Sequence, residues 1–130
     1  SIHADPNFDY PYYSGYADEI GRGSGRGYHH NFLLRANTGD DEYLSVLDTA
    51  LKLIKDFQPH RIVVSTGMDI FIEDPLGTFD ISTAGINVIG RRIGGLAIPT
   101  VFCLEGGYCN QALGTNVKSL IDGFTDEYHR

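Results

Sequence analysis

Cationic side chains are in short supply here: ten Lys and Arg against seventeen Asp and Glu, for a formal charge of −7 at pH 7. A surface that binds nucleic acid needs clustered Lys and Arg to neutralise phosphate, so no direct nucleic-acid partner is expected. Long apolar runs are also missing. No stretch approaches the roughly 18 residues of a membrane span, and no basic segment followed by an apolar one opens the chain, so neither a membrane partner nor a leader is expected and the cytoplasm is the expected location. Cysteine is rare. Cys103 and Cys109 make neither a disulfide framework nor zinc-finger spacing. Cys103 lies inside an apolar run and reads as a small buried hydrophobe. There is no initiator Met before Ser1-Ile2-His3, which reads as the tail of a strand, so the chain reads as a fragment.

What is present suffices for one domain with a core: 130 residues, 42% of them apolar. The organising stretch is Arg61 to Pro75. Ile62 to Ser65 form a β-branched run between His60-Arg61 and Thr66-Gly67, the pattern of a parallel strand buried on both faces. Asp69 follows just past its C-terminal end, where open α/β sheets place their ligand crevices. A second strand, Thr100 to Glu105, ends likewise in Gly106-Gly107-Tyr108, so an acid and a phenol are expected at one cleft.

Helices alternate with these strands. Thr38-Gly-Asp-Asp41 signals a helix start, Tyr43, Leu44, Leu47, Ala50, Leu51, Ile54 and Phe57 recur at three-four spacing, and Pro59 ends the run. Ser82-Thr83 caps a second helix with Ile86, Ile89 and Ile93 on one face, closed by Gly94-Gly95. A third carries Leu113, Val117, Leu120, Ile121 and Phe124. The alternation predicts an α/β fold with a parallel sheet. Ser1 to His3 and Asn31 to Leu34 add short strand pieces, few enough to leave a sheet edge open for a partner chain or the rest of the domain.

Residues 4 to 30 show no periodicity, and a loop of that length is usually functional. Phe8, Tyr10, Tyr12, Tyr13 and Tyr16 are expected to pack this loop against its own domain. The run Gly21 to Gly27 lacks a following helix, so it reads as flexible backbone and not as a phosphate cradle. His29 and His30 would face opposite sides of a strand and cannot easily share a metal. Asp74-Pro75 reads as a loop-structuring pair, Glu73 as a solvated charge, and His3 as an oriented structural histidine. Arg91-Arg92 is expected to face solvent, as are His60 and His129.

Ser1-Ile-His-Ala-Asp-Pro6, Tyr10-Pro11, Gly67-Met-Asp-Ile-Phe-Ile-Glu-Asp-Pro-Leu76 and Leu104-Glu-Gly-Gly-Tyr108, taken together and in order, resemble the C-terminal part of the histone deacetylase superfamily, most closely its acetylpolyamine amidohydrolases. The resemblance implies a three-layer parallel α/β fold of the arginase/deacetylase type, with residues 1–130 forming the C-terminal portion of the domain. It implies removal of acetyl groups from amines such as an acetylpolyamine or acetyl-lysine, with zinc as cofactor. Asp69 falls on a zinc ligand and Tyr108 on the donor to the substrate carbonyl. Tyr10 falls on the aromatic residue lining the substrate channel, where Phe is more usual, and Gly106 and Gly107 on backbone near the acyl pocket. Backbone carbonyls at Ser1-Ile2 and near Tyr28 fall on positions that hold a monovalent cation such as K⁺. The other two zinc ligands, an Asp-x-His pair, and a tandem-histidine base have no counterpart, since Asp-x-His is absent and His29-His30 is out of order. This chain alone is therefore expected to bind zinc weakly and not to catalyse, pending a missing N-terminal half or a second copy. The alternative is a truncated, non-catalytic binding or assembly module.

Overall fold

A computed structural model describes residues 1–130. Strand β1 (Ile2–Ala4) pairs in parallel with β2 (Phe32–Leu34), and β3 (Ile62–Thr66) with β4 (Thr100–Leu104). Helices α1 (Asp40–Phe57), α2 (Thr83–Gly94) and α3 (Asn110–Tyr128) alternate with these strands, and one 3₁₀ turn, Gly23–Gly25, interrupts the long first loop. The α/β alternation and parallel pairing read from the sequence are what forms.

Periodicity placed the buried helix faces well. Tyr43, Leu47 and Leu51 of α1, Ile86, Ile89 and Ile93 of α2, and Leu120 of α3 join one core with Met68, Phe71, Phe79 and Ile81. On α3, Ile121 turns outward instead. The start of α1 differs from expectation. Thr38 is fully buried and donates its hydroxyl to the Arg35 carbonyl (2.8 Å), while Gly39 occupies the cap position without a side-chain bond. Asp40 instead reaches α2, accepting from the Ser82 amide (2.8 Å) and hydroxyl (2.5 Å). Ser82 in turn accepts from the Gly85 amide (2.9 Å), the cap its sequence announced. One carboxylate thus serves the amino ends of two helices, where the macrodipole favours negative charge. At the other end of α1, Gln58 adopts a left-handed conformation (φ 56°) and its amide closes on Ile54 and Lys55, just ahead of Pro59.

Helices α2 and α3 lie against each other through backbone. A Cβ at Gly90 would fall on the Leu120 carbonyl, and one at Gly123 on the Asn87 carbonyl. Polar groups fill this seam: Asn87 donates to the Ser119 carbonyl (2.9 Å), and Ser119 donates to the Thr83 carbonyl (3.0 Å). The two arginines expected to face solvent are instead tied to neighbouring helices. Arg91 donates to Asn87 (3.0 Å) and to Asp126 of α3 (2.9 Å), and Arg92 pairs with Asp48 of α1.

The sheet corrects the sequence reading. β3 was expected to be buried on both faces, yet Val63 is 70% exposed and Val101, its register partner on β4, 58%. Cys103, read as buried, is also exposed, because it shares that bare face with its partner Ser65. An apolar β-branched run reports what a strand is built to bury, and nothing in residues 1–130 packs on this face. Both cysteines are free thiols. Each strand has a single partner, so the two sheets are not hydrogen-bonded to each other, and between them lies an apolar cavity of about 500 Å³ lined by Ser1, Ile2 and residues 62–68 with Leu47, Leu51, Ile86 and Ile89.

Candidate functional site

The site grows from the carboxyl ends of β3 and β4. The Glu105 amide bonds the Thr66 carbonyl (3.0 Å) and the Met68 amide the Gly106 carbonyl (2.7 Å), carrying the pairing past both strands into the loops that follow. The β3 loop, residues 67–79, then folds back on the start of α2: the Ile81 amide bonds Ile70 (3.2 Å) and the Ile72 amide bonds Ile81 (3.0 Å). The two loops therefore enter the site as one hydrogen-bonded unit.

Asp69 is half-buried and fenced by glycines. A Cβ at Gly67 would come within 2.5 Å of its Oδ1, one at Gly106 would fall on its carboxylate, and one at Gly77 on its carbonyl. Only glycine leaves space there. Burial pushes the Asp69 carboxyl above the ordinary range; its own backbone amide pulls it partly back, and the charges of Asp74, Asp9 and Glu105 add to the rise. Asp69 takes part in no ion pair, and neither do those three neighbours.

Asp69, Tyr108 and Tyr10 line one cavity of about 490 Å³ with His3, Asp9, Tyr43 and Thr78. Asp69 and Tyr108 thus line a common hollow, the placement the strand-end argument expected. Tyr10 stands at its mouth, 79% exposed. Gly106 adjoins the Asp69 carboxylate, whereas Gly107 faces away: at φ 139°, its Cβ would come within 2.8 Å of Met68 and 3.1 Å of Leu113, so its glycine serves the packing of this turn.

The first loop corrects another expectation. Four of the five rings expected to pack it to the domain do not: Phe8, Tyr10, Tyr12 and Tyr13 are exposed, Tyr13 at 92%, and only Tyr16 is half-buried. Polar bonds hold it instead. Asp9 accepts from the Thr78 hydroxyl (2.8 Å), Asn31 donates to the Tyr16 carbonyl (2.9 Å), and His3 Nε2 meets the Gly15 carbonyl (2.9 Å). A carbonyl only accepts, so Nε2 carries a proton, and in the neutral ring Nδ1 accepts from the Ser1 hydroxyl (2.9 Å). His3 is the oriented structural histidine expected. His29 and His30 are exposed, with His29 bonded to Asn31 (3.0 Å). Of the carbonyls expected near a monovalent cation, that of Ser1 accepts from the Phe32 amide (2.8 Å).

The residue underrated in the sequence is Asp74. Its side chain does structure its own loop, Oδ1 accepting from the amides of Leu76 (2.9 Å) and Gly77 (3.0 Å). Oδ2 accepts from the amides of Tyr108 (2.6 Å) and Cys109 (3.1 Å) on the other loop. Burial alone would raise this carboxyl, but the four amides, that of Tyr108 foremost, hold it below its ordinary range. Its folded value is depressed, so the stability it contributes is present above the ordinary carboxylate range and lost as pH falls through the folded value. Asp74→Asn is therefore expected to destabilise the protein at pH 7, with the gap to wild type narrowing below about pH 4 in unfolding curves taken across pH. A gap independent of pH would contradict this.

A zinc site needs three or four donors. No group of three metal-competent His, Cys, Asp or Glu side chains occurs in these residues. Asp69 suits one carboxylate ligand, with an unpaired negative field around it, but this chain alone does not form the whole donor set.

The model of the histone deacetylase domain matches residues 1–124. Acetylpolyamine amidohydrolase 1 of Pseudomonas aeruginosa is 40% identical over 124 residues, covering 95% of this chain and 36% of that protein. The acetylpolyamine amidohydrolase of Mycoplana ramosa is 34% identical over 123 residues, again 95% of this chain and 36% of the relative. Among solved structures, acetylpolyamine aminohydrolase from Burkholderia pseudomallei superposes with a TM-score of 0.94 at 35% identity, over 98% of this chain and 37% of its own. A histone deacetylase homologue from Aquifex aeolicus gives 0.88 at 28% identity, over 100% and 34%. The chain thus spans little more than a third of the length of these four relatives.

Proposed function

The chain belongs to the histone deacetylase family, and on that footing we propose that it forms the C-terminal part of the catalytic pocket of a zinc-dependent deacetylase that cleaves acetyl groups from small amines such as acetylpolyamines. The observation that carries the reading is the meeting of Asp69 and Tyr108 at one cavity beyond the ends of two paired parallel strands.

Asp69 is the ligand this chain contributes to the zinc, and the remaining donors come from outside residues 1–130. When bound, the metal supplies a polarised acetyl carbonyl and an activated water. The rest falls to side chains on this chain. The Tyr108 hydroxyl donates to the carbonyl oxygen and does so more strongly as negative charge gathers there. The missing side chain at Gly106 keeps space open beside Asp69. Tyr10 gives the mouth an aromatic wall for the alkyl part of the amine. Asp9 and Glu105, with the net charge of −7, make the approach favourable for a cationic substrate.

The test is acetate release from a mono-acetylated diamine by the whole protein, before and after removal of zinc. Turnover that disappears with the metal and returns on its readdition is the expected result. A second reading, a non-catalytic assembly module, is favoured by one observation, that no three metal-competent side chains gather in residues 1–130. A whole protein that binds no zinc and releases no acetate would establish it. Stoichiometric, tightly held zinc on residues 1–130 alone would contradict the assignment of the remaining donors to the rest of the protein.

A further inference from the structure

We propose that Asp74 is a positioning residue for Tyr108, a carboxylate that sets where the phenol stands over the pocket relative to Asp69. The inference rests on the deacetylase reading of that pocket. Asp74 is only 8% exposed and its two oxygens divide their work between the two loops of the site. One oxygen gathers Leu76 and Gly77, in the loop that carries Asp69, and the other gathers Tyr108 and Cys109. No other side chain hydrogen-bonds residues 105–109, so this carboxylate is the one polar tether between the backbone of Tyr108 and the Asp69 loop, beyond the main-chain bond from Met68 to Gly106.

A second, independent observation concerns α3. This helix of 19 residues begins directly after Cys109, yet it has no side-chain cap of its own and no acidic residue in its first turn. Amide groups at a helix start are unsatisfied, and the local field there favours an anion. Asp74 fills that place from 35 positions away in sequence, by accepting from the Cys109 amide. The same carboxylate oxygen therefore holds both the amide of Tyr108 and the first amide of the helix that follows it. An asparagine could not substitute. It has one acceptor oxygen, and its NH₂ group would face two amide donors on whichever side it took.

A phenol that must lie within hydrogen-bond reach of a developing oxyanion is sensitive to displacement, and a shift of about 1 Å costs roughly a hundredfold in rate. The test is a double-mutant cycle in the whole protein, with kcat and KM measured on a mono-acetylated diamine and bound zinc and the unfolding midpoint measured for each variant. Asp74→Asn is expected to lower kcat by about 100-fold at unchanged zinc content, with KM within about threefold. In the Tyr108→Phe background the same substitution is expected to cost less than about threefold, because the hydroxyl it positions is already gone. Asp74→Glu, which keeps a carboxylate, is expected to recover at least about tenfold of the loss. If Asp74→Asn fails to fold, the cycle is run with Asp74→Glu, whose smaller loss must likewise vanish in the Tyr108→Phe background. Equal losses in both backgrounds would overturn the proposal, since they mean that Asp74 supports the fold without acting through Tyr108. If Tyr108→Phe itself retains full turnover, or the whole protein releases no acetate, it is the deacetylase reading that fails.

Discussion

Tyr108→Phe in the whole protein is expected to lower kcat by about 100- to 1,000-fold and to leave KM within about threefold. The hydroxyl is the only group removed, and the ring keeps its place on the rim of the cavity it shares with Asp69. A hydrogen bond that strengthens as charge develops on the substrate oxygen is worth more in the transition state than in the ground state, so its loss appears in kcat. The residue is half exposed and makes no side-chain hydrogen bond within these residues, so little stability should be lost with it. Steady-state kinetics on an acetylated diamine, with zinc content matched between the two proteins, provide the measurement. A variant that turns over at the wild-type rate would remove Tyr108 from the chemistry.

Ile81→Ala has the largest expected effect on stability. Ile81 is completely buried, and truncating such a side chain typically costs about 2–5 kcal/mol through lost transfer energy and the cavity left behind. Its backbone is bonded to both Ile70 and Ile72, so it also anchors the loop on which Asp69 stands. The expected outcome is a shift of that size in chemical denaturation of the whole protein, accompanied by weaker zinc retention. A shift below about 1 kcal/mol would mean that the surrounding side chains collapse into the space, the alternative that large-to-small series reveal at forgiving sites.

The parts of the molecule that the sequence revealed are those set by local chemistry. The periods of Leu47 and Leu51, and of Ile86, Ile89 and Ile93, identify the buried helix faces, and Ser82 declares the start of α2 by residue type. Asp69 was legible because a carboxylate follows directly on a β-branched run, and its meeting with Tyr108 because both close strands that pair side by side. What escaped depends on distant partners. The second oxygen of Asp74 finds the Tyr108 amide 34 positions on, and Arg91 finds Asp126 after 35, distances at which no pattern of neighbours gives warning. The exposure of Val63, Val101 and Cys103 escaped for the opposite reason. Apolar strand residues record the need for a cover, and these 130 residues leave the face bare. The aromatics of the first loop misled because large rings usually pack inward, whereas here the polar groups of Asp9, Asn31 and His3 hold the loop.

That division of labour in the first loop bears on how such a pocket acquires new preferences. Phe8, Tyr10, Tyr12 and Tyr13 project from a segment whose attachment does not rely on them, so exchanging them spends little of the molecule's thermodynamic reserve. A combinatorial library confined to these four positions should consist mostly of folded proteins, in which Tyr10, the one of the four that lines the cavity, varies without loss of the fold.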